Sequence, residues 1–245
     1  MQAVGSTHPP GMIIILSGEI ARFTAAVQCL TALVAPIGTM ASWQTGVLIT
    51  KLLNMGLTSF MDKPELQWVW IMGDDHVYRP DILMKLLDRE VSAVIPFVLN
   101  RQPPMDSTVA IWYDMENPTV PGRDFRMKFL EEFPRSGLYK LADNETCGDA
   151  GLLLRRPVLE AVEKPWYDTR RSGGWATDDQ AFTRRIREAG FPLHVDMDVP
   201  MGHLQPMAIV PLVTGDDKWA IRLIAGTKTV VDFVPVRTGK YDGMR

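Results

Sequence analysis

The 245-residue chain holds only two cysteines, Cys29 and Cys147. Two thiols cannot build a disulfide framework or a cysteine-based zinc site, and they fit reduced thiols in a cytosolic setting. A basic excess is also lacking: 26 Lys and Arg stand against 29 Asp and Glu, a net charge of −3. General nucleic-acid binding, which needs a basic footprint, is therefore not expected. The longest apolar run near the start, Met12 to Leu16, is far too short to cross a membrane, which takes about 20 residues. It follows His8-Pro9-Pro10-Gly11 rather than a basic leader, so no signal peptide is expected and the protein is expected in the cytoplasm. Internal repeats and low-complexity tracts are missing, which removes solenoids and propellers.

What is present is a hydrophobic content of 46%, enough for one large domain. Met12 to Leu16 reads as a buried strand, Glu19 to Val34 as a helix, Thr39 to Trp43 as a strand and Gly46 to Phe60 as a helix. Trp68 to Met72 is a central strand, Pro80 opens a helix, and Val91 to Leu99 is another buried strand. This alternation predicts a parallel sheet with helices on both faces over residues 12–100. Residues 101–137 are rich in Pro, Asp, Met and Arg and predict an irregular, partly antiparallel region. A strand at Gly151 to Leu154, a short helix at Pro157 to Val162, a helix at Thr177 to Ala189 and a strand at Leu193 to Val199 follow. One further strand, Thr229 to Val234, is expected in the tail.

Three places carry chemistry. Trp70-Ile71-Met72-Gly73-Asp74-Asp75-His76 is an apolar strand that ends in two carboxylates and an imidazole. In open α/β sheets ligands bind at the carboxyl ends of strands. Asp74 and His76 are two apart, so an extended segment points them the same way, and oxygen plus imidazole nitrogen suits Mn²⁺ or a similar ion. A polar turn after the strand accounts for the same residues equally well. Next, Gly173-Gly174-Trp175-Ala176-Thr177-Asp178-Asp179 brings two carboxylates to a helix start, with Thr177 in the N-cap place. Either Asp can serve the helix dipole or act as general base on a hydroxyl. A base there needs burial or the neighbouring Asp to offset the acidifying helix end. His203, after Pro200-Met201-Gly202, is the candidate third metal ligand beside Asp74 and His76.

Together these pieces resemble the GT-A glycosyltransferases, the compact bacterial and phage type in particular. Asp74-Asp75-His76 resembles their DxD element, with His76 in place of the second Asp. Thr177-Asp178-Asp179-Gln180-Ala181-Phe182 resembles their Glu-Asp-x-x-Phe element, with Asp178 in place of Glu, and His203 resembles their late metal ligand. The match covers about residues 12 to 204. It implies one GT-A domain over 1–245: a nucleotide-sugar half (about 12–100), an acceptor and metal half (about 101–204) and a C-terminal extension (205–245). It implies Mn²⁺ or Mg²⁺ as cofactor, a nucleotide-diphosphate sugar as donor and a glycan, protein or small molecule as acceptor. Asp179 is the favoured catalytic base, with Asp178 the alternative. Ser17, Gly18, Glu19, Lys51, Asn54, Asp74, Asp75, Arg101, Asp149 and Trp175 fall where such enzymes contact the donor; for Lys51, Asn54 and Arg101 a solvated surface position explains the residue as well. Trp166 and Trp175 are candidates to stack on sugar rings.

The resemblance implies transfer of a sugar to an acceptor hydroxyl, with inversion slightly favoured. A sugar nucleotidyltransferase is the first alternative. It needs a glycine-rich basic loop after the first strand, which Ser17-Gly18-Glu19-Ile20-Ala21-Arg22 matches poorly. A non-catalytic nucleotide- or carbohydrate-binding module is the second, and it needs no acidic residue at the acceptor side.

Overall fold

The computed structural model describes residues 1–18, 24–101, 105–113, 125–168, 177–213, 219–225 and 228–233. The chain forms two compact units: residues 1–99 with 106–204, and residues 100–105 with 205–245. The second unit takes in the stretch 205–245, expected from sequence as a C-terminal extension.

In chain order the first unit holds β1 (Gln2–Val4), β2 (Met12–Ser17), α1 (Thr24–Ala32), β3 (Val34–Pro36), β4 (Met40–Thr45) and α2 (Ile49–Met61). Then come β5 (Trp68–Gly73), β6 (His76–Val77), α3 (Ile82–Asp88), β7 (Ala93–Val98), β8 (Val109–Trp112), β9 (Phe125–Met127) and a 3₁₀ turn at Leu130–Glu132. It closes with β10 (Leu138–Lys140), β11 (Glu145–Cys147), β12 (Leu153–Arg155), α4 (Arg156–Ala161), α5 (Asp178–Glu188) and β13 (Leu193–His203). The second unit holds β14 (Met207–Val213), β15 (Trp219–Ala225) and β16 (Lys228–Phe233).

The main sheet runs β10-β13-β7-β12-β5-β2-β4, with β6 on the far end of β13. β4, β2 and β5 are parallel, as the alternation predicts. The sheet is nonetheless mixed: β12 inserts between β5 and β7 and is antiparallel to both. Sequence order alone cannot reveal this insertion, because β12 lies some 55 residues beyond β7 in the chain. Among the described residues, 101–137 contribute β8 and β9, which form an antiparallel sheet with β11, in line with the expectation for that region. Val34 is strand rather than helix, since the chain leaves α1 at Ala32 to pair β3 with β1.

Alternation along the strands lets one sheet build two cores. Met12 and Ile14 of β2 and Val69 and Ile71 of β5 pack with Leu53, Leu57 and Phe60 of α2 and Phe182 and Ile186 of α5. Ile13 and Ile15 of β2, with Trp68, Trp70 and Met72 of β5, face the other way onto Ile82, Leu83, Leu86 and Leu87 of α3. A strand apolar at every position needs cover on both faces, and each large side chain fully buried contributes about 1.5–3 kcal/mol. Close approach of α2 to β2 depends on Gly56, where a Cβ would lie 2.9 Å from Ile14.

Two buried charges hold the frame. The Arg156 guanidinium donates to the carbonyls of Phe60, Lys63 and Leu66 and so caps the end of α2. Arg89 donates both to the fully buried Asp196 and to Asp198, tying the end of α3 to β13.

The second unit is an antiparallel three-stranded meander rather than the single strand expected. Met207–Val213 and Trp219–Ala225 are apolar at nearly every position, which leaves no period to read. Among the described residues no helix is long and apolar enough to cross a membrane. Both cysteines are unpaired.

Candidate functional site

β2, β5, β7 and β13 run in one direction, so their carboxyl ends share one edge of the sheet. The antiparallel β12 begins at that edge, which brings Asp149, just before it, to the same place. This is where open α/β sheets bind ligands.

β5 stops at Gly73, and Asp74-Asp75 turns the chain into β6. The turn breaks the two-residue alternation. Asp74 therefore does not share a direction with His76. Its carboxylate accepts from Ser17 Oγ at 2.6 Å, and its N–H bonds to Leu16 O. Asp75 takes the place expected of Asp74. Its Oδ1 lies 2.9 Å from His76 Nδ1 and its Oδ2 3.2 Å from His203 Nε2. β6 pairs antiparallel with the end of β13, with His76 opposite His203. Directly opposed residues of a pair share a face, and the two imidazoles stack with centroids 4.5 Å apart. One ligand atom each from Asp75, His76 and His203 fall within 4.8 Å of one another. His203 Nδ1 is 3.2 Å from Leu99 O, which fixes the ring and turns Nε2 toward the carboxylate. Orienting contacts of this kind commonly stand behind metal-binding histidines.

His76 is buried, and among the described residues its Nδ1 faces only the Asp75 carboxylate, at 2.9 Å, while its Nε2 has no hydrogen-bond partner. A buried ring nitrogen without a partner is costly, and a cation would satisfy it. One carboxylate and two imidazoles suit Mn²⁺, Zn²⁺ or a related divalent ion. Burial acts to raise the Asp75 carboxyl, but the two imidazoles outweigh it and hold the group well below the usual carboxylate range. Gly73 makes room for the cluster: a Cβ there would lie 2.5 Å from Asp75 Oδ1 and 3.0 Å from His76 Nδ1.

A second cluster is made of carboxylates. Asp179 sits in the first turn of α5, and its Oδ1 accepts the Gln180 N–H at 2.9 Å. Thr177 bonds the Asp179 side chain instead of capping the helix backbone. A Cβ on Gly148 would lie 3.1 Å from Asp179 Oδ2, so the chain before Asp149 runs close against that carboxylate. Thr183 of α5 donates to Cys147 O at 2.9 Å and clamps the two segments together. Tyr167 donates its hydroxyl to Asp149 Oδ2 at 2.7 Å. Burial and then the Asp179 charge push the Asp149 carboxyl up to about 7. Asp179 is also raised, by burial first, so the acidifying pull of the helix end is overcome. Asp178 is held elsewhere, accepting from Thr50 of α2 at 2.8 Å.

The chain matches no family model and no curated protein. It is similar to one solved protein in particular, the crystal structure of A197 from STIV, at 9% identity and a TM-score of 0.51. The likeness covers 93% of this chain and 99% of that one. At this identity it shows the fold, a mixed α/β arrangement, and nothing of activity.

The other residues singled out from sequence fall in different places. Ser17 joins the edge through Asp74, and Gly18 follows it directly. Glu19 and Trp175 lie outside the described residues. Arg101 belongs to the second unit. Asn54 is a clamp on the 165–168 segment: its amide donates to Tyr167 O and accepts the Tyr167 N–H. Lys51 and Asn54 do line a cleft of about 580 Å³ with Val47, Leu48, Pro165 and Asp168. Trp166 is not available for stacking, because it is buried and donates to Leu159 O. Asp149 lies with Asp179 rather than standing alone as a donor contact. Tyr167, Gly73 and Gly148 escaped the sequence reading; a Gly just before each acidic site was the one signal present.

Proposed function

We propose that this chain is a divalent-metal-dependent glycosyltransferase of GT-A architecture, using a nucleotide-diphosphate sugar as donor. The observation that carries the reading is one sheet edge bearing both an Asp75–His76–His203 group and a partly buried carboxylate pair, Asp149 and Asp179. Asp75, His76 and His203 would hold the cation, which when bound offsets the charge of a diphosphate, in the ground state and as it leaves. Ser17 keeps Asp74 against the end of β2, beside the place a nucleotide would occupy. Asp179, raised first by burial, is a stronger base than an ordinary aspartate. In an inverting transfer it takes the acceptor hydroxyl proton as that oxygen bonds the anomeric carbon and the bond to the diphosphate breaks. Tyr167 and Asn54 keep the Asp149 side of the site in place.

A thermal-shift panel of nucleotide sugars with and without Mn²⁺ tests this reading. A ligand that binds only the native state raises the melting temperature by mass action. A shift for one nucleotide family that needs Mn²⁺ and is lost in Asp75→Asn supports it. No shift with any donor, on folded protein, sinks it and favours a non-catalytic module.

A further inference from the structure

We propose that Asp149 and Asp179 act as one dyad that holds a single proton at neutral pH, Asp149 carrying it and Asp179 left anionic, with Tyr167 as the positioning residue that sets the balance. The geometry asks for this division. Asp179 collects donors to its charged form: the Gln180 N–H, the Thr177 side chain and the N-terminal end of α5. Asp149 receives one side-chain hydroxyl, from Tyr167 on Oδ2, beside its own backbone N–H. The segments that carry the two carboxylates run close, since a Cβ at Gly148 would lie 3.1 Å from Asp179 Oδ2 and Thr183 ties Cys147 to α5. Two carboxylates confined in this way cannot both ionise cheaply, so one keeps a proton. The other ionisable groups that act on the pair are Asp178, the Tyr167 phenol and the Cys147 thiol, with Arg187 acting on that thiol. The thiol and the phenol are themselves pushed up by burial and stay neutral; Asp178 adds a like charge that acts against a second ionisation.

Tyr167 is not held by its hydroxyl alone. Asn54, in the second turn of α2, bonds both the N–H and the C=O of Tyr167, and so fixes the backbone from which the ring extends. The ring packs on Phe182 of α5 at a centroid distance of 4.5 Å. The phenol thus reports the position of α5 to Asp149. On the transferase reading above, Asp179 is the base that accepts the acceptor proton, and Asp149 is the acid that keeps its charge single.

The proton count can be measured without any substrate, which separates this proposal from the transferase reading. Protein labelled with ¹³C at the aspartate side-chain carboxyl is titrated by NMR from pH 4 to 9, with Asp149→Asn, Asp179→Asn and Tyr167→Phe beside the wild type. The expected result is one carboxyl, missing in Asp149→Asn, with a midpoint near neutrality. In Asp179→Asn that midpoint falls by at least a unit, and in Tyr167→Phe it rises, because a donor to the charged form has gone. A purely structural tyrosine would lower stability and leave the midpoint alone. Ordinary carboxylate midpoints for both groups in the wild type would overturn the dyad, whatever the variants do. So would an Asp149 midpoint unmoved by Asp179→Asn, which would mean burial alone and no shared proton.

Discussion

Gly73→Ala separates the metal group from the stability of the sheet. The residue ends β5, and the position of its missing Cβ is 2.5 Å from Asp75 Oδ1 and 3.0 Å from His76 Nδ1. A methyl there must push the carboxylate outward, from 2.5 Å to the roughly 3.4 Å at which ordinary contact begins, a displacement of about 0.9 Å. Metal–ligand distances tolerate only about 0.2 Å. The carboxylate is therefore lost as a well-placed ligand, and a loss of that order weakens metal binding by about 10–100-fold, or about 1.4–2.7 kcal/mol. The fold should barely notice, because an alanine in strand backbone reduces the freedom of the unfolded chain by about 0.4–1 kcal/mol. The assay is the free Mn²⁺ signal in electron paramagnetic resonance during titration, with the melting temperature measured on the same samples. Unchanged Mn²⁺ affinity would refute the assignment of Asp75. A large fall in melting temperature without metal would show instead that Gly73 serves the sheet.

Arg156→Ala removes a guanidinium that donates to three carbonyls at the end of α2. Chemical denaturation should show a loss of about 1–3 kcal/mol, the cost of leaving buried acceptors without their donor. Arg89→Ala strands the fully buried Asp196, and a loss of about 3–5 kcal/mol is expected, reduced in Arg89→Ala with Asp196→Asn, where no lone charge remains. The Asp149 carboxyl is pushed up to about 7 in the fold against an ordinary value near 4, so the folded protein binds the extra proton between them. Stability should then fall as pH rises through that window, at no more than about 1.4 kcal/mol per unit, and level off above it. Asp149→Asn should flatten the slope; a slope that persists would place its source in another group.

The strands of the main sheet were the most legible part of the chain. Met12–Ser17, Trp68–Gly73 and Ala93–Val98 are unbroken apolar runs, as strands covered on both faces must be. The place of β12 was not legible, because which strand inserts beside which is decided by packing of distant segments. The acidic cluster after β5 is visible in sequence, but the carboxylate that the fold brings beside His76 and His203 is Asp75 rather than Asp74. Side chains alternate only along an extended chain, and the two-residue turn at Asp74-Asp75 ends that alternation. His203 could be linked to His76 only through the pairing of β6 with β13, a contact between residues 127 apart in sequence. Asp178 and Asp179 were found together but could not be told apart until Thr50 was seen to hold the first and Gly148 to face the second. Trp166 looked like a sugar platform by residue type and proved to be core.

The central claim is that Asp75, His76 and His203 hold a divalent cation that carries a diphosphate. Calorimetric titration of a nucleoside diphosphate into the protein, in Mn²⁺ and again in a chelator, tests it most directly, with His76→Ala as the control. Binding in Mn²⁺, none in the chelator and a loss of at least tenfold in the variant are expected. Binding that is equally tight without metal, or unchanged in His76→Ala, would contradict it.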